Sequence, residues 1–150
     1  MVLDAVLAYL HFTAIFMLFA FLTVQAVMLR SPLDARAIRL VGRTDLWYFG
    51  SAIAALFTGM LRLGLGAKGG EFYLNAWPFY AKMALFVAVG LISIRPTKAF
   101  TRWRRQLDGN PQWQLPAEEQ AKARKLVMLE VHLAAMIPIF AVIMSRGLGS

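Results

Sequence analysis

The chain has 150 residues, of which 59% are hydrophobic, and its formal net charge is +8 at pH 7. A mean hydropathy of +0.59 argues against a water-soluble domain and for a polytopic membrane protein of one domain, residues 1–150. The sequence contains no cysteine, which excludes disulfides, thiolate metal sites, iron–sulfur clusters and cysteine nucleophiles.

Four apolar segments are each close to the length that a membrane-crossing helix needs. The first covers residues 5–29 without any Lys or Arg, and its about 25 residues would give roughly 37 Å of helix. The others cover approximately residues 46–62, 78–95 and 126–146. The predicted fold class is therefore an all-α membrane protein with four transmembrane helices in one bundle.

The positive charges are concentrated in two of the connections between these segments. Residues 30–44 contain four Lys and Arg and residues 95–125 contain eight, whereas residues 61–78 contain only two. This is the positive-inside pattern, which predicts that both termini lie outside and both basic connections in the cytoplasm. The same placement argues against nucleic acid and indicates anionic lipid at the cytoplasmic face. We expect short amphipathic helical extensions there, including a surface helix that begins after Ser31-Pro32.

Polar side chains share one face of the first segment. Asp4, His11, Leu18 and Gln25 are seven residues apart, so they stack on one side of a helix. Lipid cannot hydrogen-bond such groups, and this face is therefore expected to contact protein, ligand or water. The second segment has a comparable face of polar and small residues, which are Tyr48, Ser51, Ala55, Thr58 and Arg62.

Three ionisable side chains from three segments are predicted to share one layer. If the middle of each segment lies at the bilayer midplane, His11, Arg62 and Lys82 all lie roughly 9 Å toward the outer side. Ionisable groups in the bilayer cost several kcal/mol each, so this convergence favours a functional site. A second layer, nearer the cytoplasm, is predicted from the remaining polar residues Gln25, Asp45, Glu130 and His132.

The chemistry of the outer layer suits a haem. Neutral imidazole is a common axial ligand of haem iron, which makes His11 the candidate metal ligand. Arg62 can pair with a propionate, and Lys82 can bind iron or exchange protons. His132 lies some 15 Å from His11 along the membrane normal, which is too far for the two to share one haem.

Simpler interpretations of these residues remain open. A histidine in a membrane helix often only hydrogen-bonds a neighbouring helix, and Arg62 and Lys82 are near helix ends, where long side chains reach the interface. The eight methionines are scattered and are best explained as core residues. Two other functions are also left open, namely a small transporter or metal-handling protein and a non-catalytic membrane assembly subunit.

Several short motifs resemble those of one bacterial family of membrane proteins, domain of unknown function 2214. The resemblance covers essentially the whole chain, and it implies four helices and a multi-pass location in the bacterial inner (cell) membrane, but no activity. The motifs are Tyr9-Leu-His11, Arg62 at the end of the second segment, Lys68-Gly-Gly-Glu-Phe-Tyr, Asn75-Ala-Trp-Pro-Phe-Tyr-Ala-Lys82, Arg95-Pro-Thr, Arg102-Trp-Arg-Arg and Ile137-Pro with Met144-Ser-Arg-Gly.

The chain is more distantly similar to HemJ, the membrane protoporphyrinogen oxidase, and to CopD-like copper-resistance proteins. HemJ proteins have a histidine in the first helix, a lysine opening a later helix after an aromatic residue, and a glutamate in a proline-containing last helix. His11, Lys82 and Glu130 stand in those places here. The resemblance implies haem b near His11 and Lys82, Lys82 and Glu130 as catalytic residues of an oxidoreductase, and a porphyrin or quinone partner. A homo-oligomer remains open.

The chain departs from the HemJ pattern in one segment and at one further position. Residues 12–28, which follow the histidine, are nearly all apolar, whereas HemJ has a long aromatic and arginine motif there. Leu129 stands where HemJ has an asparagine. The resemblance therefore implies haem binding more strongly than it implies the HemJ reaction.

Overall fold

The computed structural model describes residues 2–66 and 69–148, and this part of the chain forms five α-helices. All of them except the short α3 are long and apolar enough to cross a membrane. The predicted fold class, an all-α protein with four membrane-spanning helices, is therefore confirmed. The helices are α1 (Val2–Met28), α2 (Ala35–Leu65), α3 (Gly69–Leu74), α4 (Trp77–Gly109) and α5 (Ala117–Ser145).

The four long helices form a bundle in which each packs against two others. The contacting pairs are α1 with α2, α2 with α4, α4 with α5, and α5 with α1. Because short connections join successive helices, neighbours run antiparallel. We call the end that carries the α1–α2 and α4–α5 connections the basic end, and the end that carries both termini and α3 the terminal end.

Burial follows the faces that the sequence predicts for the first two helices. In α1, Leu18 and Gln25 are buried and His11 is half-buried. In α2, Tyr48 and Thr58 are buried on the predicted face. The opposite sides of both helices expose apolar residues, as a lipid-facing surface requires.

The prediction of a separate surface helix after Ser31-Pro32 is wrong. Asp34 caps α2 instead, its carboxylate accepting a hydrogen bond from the Ala37 amide at 2.7 Å, and the helix then continues without a break into the second span. The segment continues the span because Ile38 and Val41 are both buried in the core and hold it against the bundle. The amphipathic extension is therefore a prolongation of the span.

Helix α4 also continues beyond its predicted span, residues 78–95, and passes through Pro96 without ending. Beyond it Phe100, Trp103 and Leu107 are all buried in the core. The Trp103 indole donates to Glu119 Oε2 at 2.9 Å, and the Arg102 guanidinium donates to the same oxygen at 2.6 Å. Glu119 precedes the apolar part of α5, and these two hydrogen bonds hold the pKa of its carboxyl below the ordinary value.

Gln120 attaches the α1–α2 connection to α5. Its amide nitrogen donates to the Leu29 carbonyl at 3.2 Å and to the Ser31 carbonyl at 2.7 Å, and its amide oxygen accepts from the Leu33 N–H at 3.3 Å. The last carbonyls of a helix lack partners within it, so one side chain satisfies backbone groups on both sides of the turn.

We expect Gln120→Ala to destabilise the basic end. It removes three hydrogen bonds and leaves partly buried backbone groups without partners, which costs about 1–3 kcal/mol for each group that water does not reach. Thermal unfolding of the detergent-purified protein measures the loss. The matched control is Gln106→Ala, an exposed position on α4; equal melting temperatures for the two variants would contradict this role of Gln120.

Candidate functional site

His11 is held by a hydrogen bond to the next helix. Its Nδ1 lies 3.1 Å from Thr58 Oγ1, and the Thr58 hydroxyl donates to the Ala54 carbonyl at 2.6 Å. A hydroxyl has one hydrogen, and Thr58 donates it to Ala54, so Nδ1 of His11 is the donor to Thr58. In the neutral form of such a ring Nε2 has a lone pair, which is the form that a metal ligand needs, with Nδ1 oriented by a hydrogen bond.

The imidazole lies directly against the backbone of α2 at Gly59. A Cβ atom at this position would be 3.1 Å from His11 Cε1 and 3.6 Å from Nδ1. Any side chain here would therefore displace the ring. At Gly50, on the same helix, a Cβ would meet nothing within 4 Å, so the requirement for glycine is local to His11.

Two cations accompany the histidine. Arg62 and Lys82 both interact electrostatically with the His11 ring, and they also repel each other. The Arg62 guanidinium carbon is 5.5 Å from the centroid of the Phe12 ring, and Lys82 Nζ is 5.2 Å from the centroid of Phe79. The structure thus brings His11, Arg62 and Lys82 together from α1, α2 and α4, and we call these three residues the terminal-end cluster.

The two cations of the terminal-end cluster are available to bind an anion. Within the described ranges, 2–66 and 69–148, the buried Arg62 Nε has no hydrogen-bond partner, and no ion pair involves Arg62 or Lys82. An imidazole with an available lone pair beside two cations can hold a metal cofactor that carries carboxylates.

A second group of buried polar side chains lies nearer the basic end. Gln25 Nε2 donates to Asp45 Oδ1 at 3.2 Å, and the Tyr48 hydroxyl donates to Glu130 Oε2 at 3.2 Å across the bundle. None of the four side chains is more than 5% exposed. The second oxygen of Glu130, Oε1, is buried without a hydrogen-bond partner. We call these four residues the basic-end cluster.

Two hydroxyl groups of α4 border the basic-end cluster. Ser93 donates to the Gly90 carbonyl at 2.7 Å and lies near the Tyr48 hydroxyl. Thr97 faces the Asp45 carboxyl, but its buried Oγ1 makes no hydrogen bond. Neither residue was predicted as a site residue, although Thr97 ends the Arg95-Pro-Thr motif and the spacing of four places Ser93 and Thr97 on one face of a helix.

His132 does not belong to the second layer, so that prediction is wrong. Its side chain is exposed, and its Nδ1 lies 2.6 Å from the Met128 carbonyl of the same helix. Glu130 is only two residues away, and residues two apart point to nearly opposite sides of a helix. Because Glu130 faces the core, His132 faces outward.

The two clusters are separate sites. Thr58 and Tyr48, which mark them on α2, are ten residues apart, equivalent to roughly 15 Å of helix. Glu130 therefore does not share a site with His11, Arg62 and Lys82, although the HemJ resemblance names it beside Lys82.

Two small cavities in the described part of the chain lie toward the basic end. One, of about 150 Å³, lies between α2 and α4. The other, of about 160 Å³, lies between α4 and α5. Neither is lined by His11. The lining of the first includes Asp45, Thr97 and Arg104, and that of the second includes Arg95, Arg102 and Lys122.

Comparison with known proteins identifies a family and no closer relative. No curated protein and no solved structure matches this chain, so the similarity to HemJ and CopD-like proteins gains no support from them. Of the motifs that resemble the family, only Lys68 lies outside the described residues. A family model described as predicted membrane protein, DUF2214, matches residues 3–149. Because this match covers nearly the whole chain, the protein belongs to the DUF2214 family of predicted membrane proteins.

Proposed function

We propose that this protein binds one b-type haem, or a related tetrapyrrole, at the terminal-end cluster and uses it in a redox reaction. His11 Nε2 would hold the iron. The observation that carries the proposal is the hydrogen-bond chain from His11 through Thr58 to the Ala54 carbonyl, because it leaves the lone pair of the neutral ring on Nε2.

Three features of the chain fit a haem. Arg62 Nε is a buried donor without a partner, which suits a propionate carboxylate. Gly59 leaves room for the imidazole to lie close against α2. The described residues contain no group of three or more His, Cys, Asp or Glu that could hold a bare metal ion, whereas a haem brings four nitrogen ligands of its own and needs only a histidine from the protein.

Each residue of the terminal-end cluster then has a distinct task. A bound haem supplies one-electron chemistry at its iron. Thr58 fixes the orientation and the tautomer of His11, and Arg62 neutralises a propionate. Lys82 Nζ acts as a second ligand or holds and releases a proton. Glu130 does not touch this site, so Lys82 is the residue proposed to act at the haem.

We place the protein in the bacterial inner membrane with the basic end in the cytoplasm, as the positive-inside pattern predicts. Anionic phospholipid is the expected partner there. The cavity between α4 and α5 supports this, since Arg95, Arg102 and Lys122 line it. Arg102 is paired with Glu119 and Lys122 with Glu118, whereas no ion pair between described residues involves Arg95. A phosphate headgroup at this depth would meet a net positive site.

Replacing His11 is expected to remove the cofactor without unfolding the bundle. The axial bond is one interaction, whereas four packed helices are held by many contacts. Neither alanine nor glutamine supplies a comparable ligand, so His11→Ala and His11→Gln should both lose the Soret band while membrane insertion and helical circular dichroism persist. The control is His132→Ala, which removes the exposed histidine and should retain the spectrum. Full haem content in both His11 variants would disprove this ligand.

Gly59→Ala is expected to weaken haem binding through the geometry of His11. The new Cβ would lie 3.1 Å from His11 Cε1 and would push the ring away from α2 by a few tenths of an ångström. Changes that disturb the orientation of a ligating histidine cost about 10- to 100-fold in metal affinity. Haem titration of the apoprotein measures the loss. Gly50→Ala, with open space around the added atom, should bind as the wild type does, and equal affinities for both variants would contradict the proposed geometry.

A further inference from the structure

The basic-end cluster has no role in the haem site, yet it buries two carboxyl groups. Asp45 is 5% exposed and Glu130 is 1% exposed, and the two are linked through α2, since Asp45 lies three residues before Tyr48, whose hydroxyl donates to Glu130 at 3.2 Å. No Lys or Arg forms an ion pair with either of them among the described residues. Burying a carboxylate without a cation is costly, so an occupant that neutralises charge is expected.

The groups that face the pair from each packed helix are neutral, and this favours a proton as the occupant. α1 contributes the neutral Gln25 and α2 contributes Tyr48, while the neighbouring residues of α4 are the hydroxyls Ser93 and Thr97. Tyr48 occupies only Oε2 of Glu130, and Oε1 remains a buried oxygen without a partner. A proton on this oxygen would neutralise the side chain without requiring further ligands.

The cavity between α2 and α4 leads from Asp45 to exposed residues near the basic end. Asp45 and Thr97 line its inner part, and the exposed residues Thr101 and Arg104 line it nearer the basic end. Its volume of about 150 Å³ is enough for a few water molecules, each of which occupies about 30 Å³ in the liquid. Buried Asp45 is thus the first carboxyl that water entering from the basic end would meet.

We infer that Asp45 and Glu130 form a proton-binding pair that is loaded from the basic end through this cavity. Loading breaks an O–H bond of hydronium in the cavity and makes one on the Asp45 carboxylate. Transfer inward breaks that bond and makes one at Glu130 Oε1, returning Asp45 to its ionised form, while Tyr48 keeps its proton and orients Oε2. The inference does not rest on haem binding, since neither carboxyl contacts the terminal-end cluster.

Infrared difference spectroscopy of the full-length protein in lipid vesicles tests the pair. A carboxylic acid C=O band that responds to pH and shifts in D₂O is expected in the wild type. Glu130→Gln should lose this band, whereas Asp108→Asn, which changes an exposed carboxylate paired with Arg39, should retain it. An unchanged band in Glu130→Gln would overturn the inference, as would a band that responds to sodium at constant pH, which would indicate a cation site.

The route is tested by filling the cavity. Gly42 lines it, and a Cβ there would meet nothing within 4 Å, so Gly42→Leu can occupy the space without a clash in the backbone. Deuterium exchange of the carboxyl band should become severalfold slower in this variant. Gly50→Leu adds the same side chain at an open position of the same helix that does not line the cavity and should exchange as the wild type does. Equal exchange rates in both variants would overturn the proposed route, whether or not the protein binds haem.

Discussion

A polar side chain within the bilayer must find its hydrogen-bond partner inside the protein, because lipid tails offer none. In this bundle the constraint is met at two depths. Near the terminal end, His11 bonds to Thr58, which bonds to its own helix. Nearer the basic end, Gln25 bonds to Asp45 and Tyr48 to Glu130. These contacts tie α1 to α2 and α2 to α5, and the apolar core fills the space around them.

The atoms left without partners distinguish a functional site from simple packing. Arg62 Nε and Glu130 Oε1 are both buried without hydrogen bonds, and each belongs to a different cluster. An unsatisfied buried polar atom costs free energy that apolar packing of the same volume would avoid. The first of these atoms supports the proposed anion site at the terminal end, and the second supports the proposed proton site nearer the basic end.

Much of this arrangement follows from sequence periodicity. The heptad from His11 to Gln25 fixes which side of α1 faces the bundle, and depth along the helices brings His11, Arg62 and Lys82 to one level. What periodicity does not give is the partner of each group. The Tyr48–Glu130 bond crosses the bundle, and its existence depends on which helices lie opposite each other. The length of α2 was also missed, because Ile38 and Val41 find burial against other helices rather than in the headgroups.

We propose that His11 presents a free nitrogen to haem iron, and the absorption spectrum of the wild-type protein is the most direct test. The protein should be expressed with haem available, purified in detergent, and measured in its oxidised and reduced forms. We expect a Soret band that shifts on reduction and about one haem per chain. A colourless protein with the same helical content would disprove haem binding and would leave the histidine as a hydrogen bond between two helices.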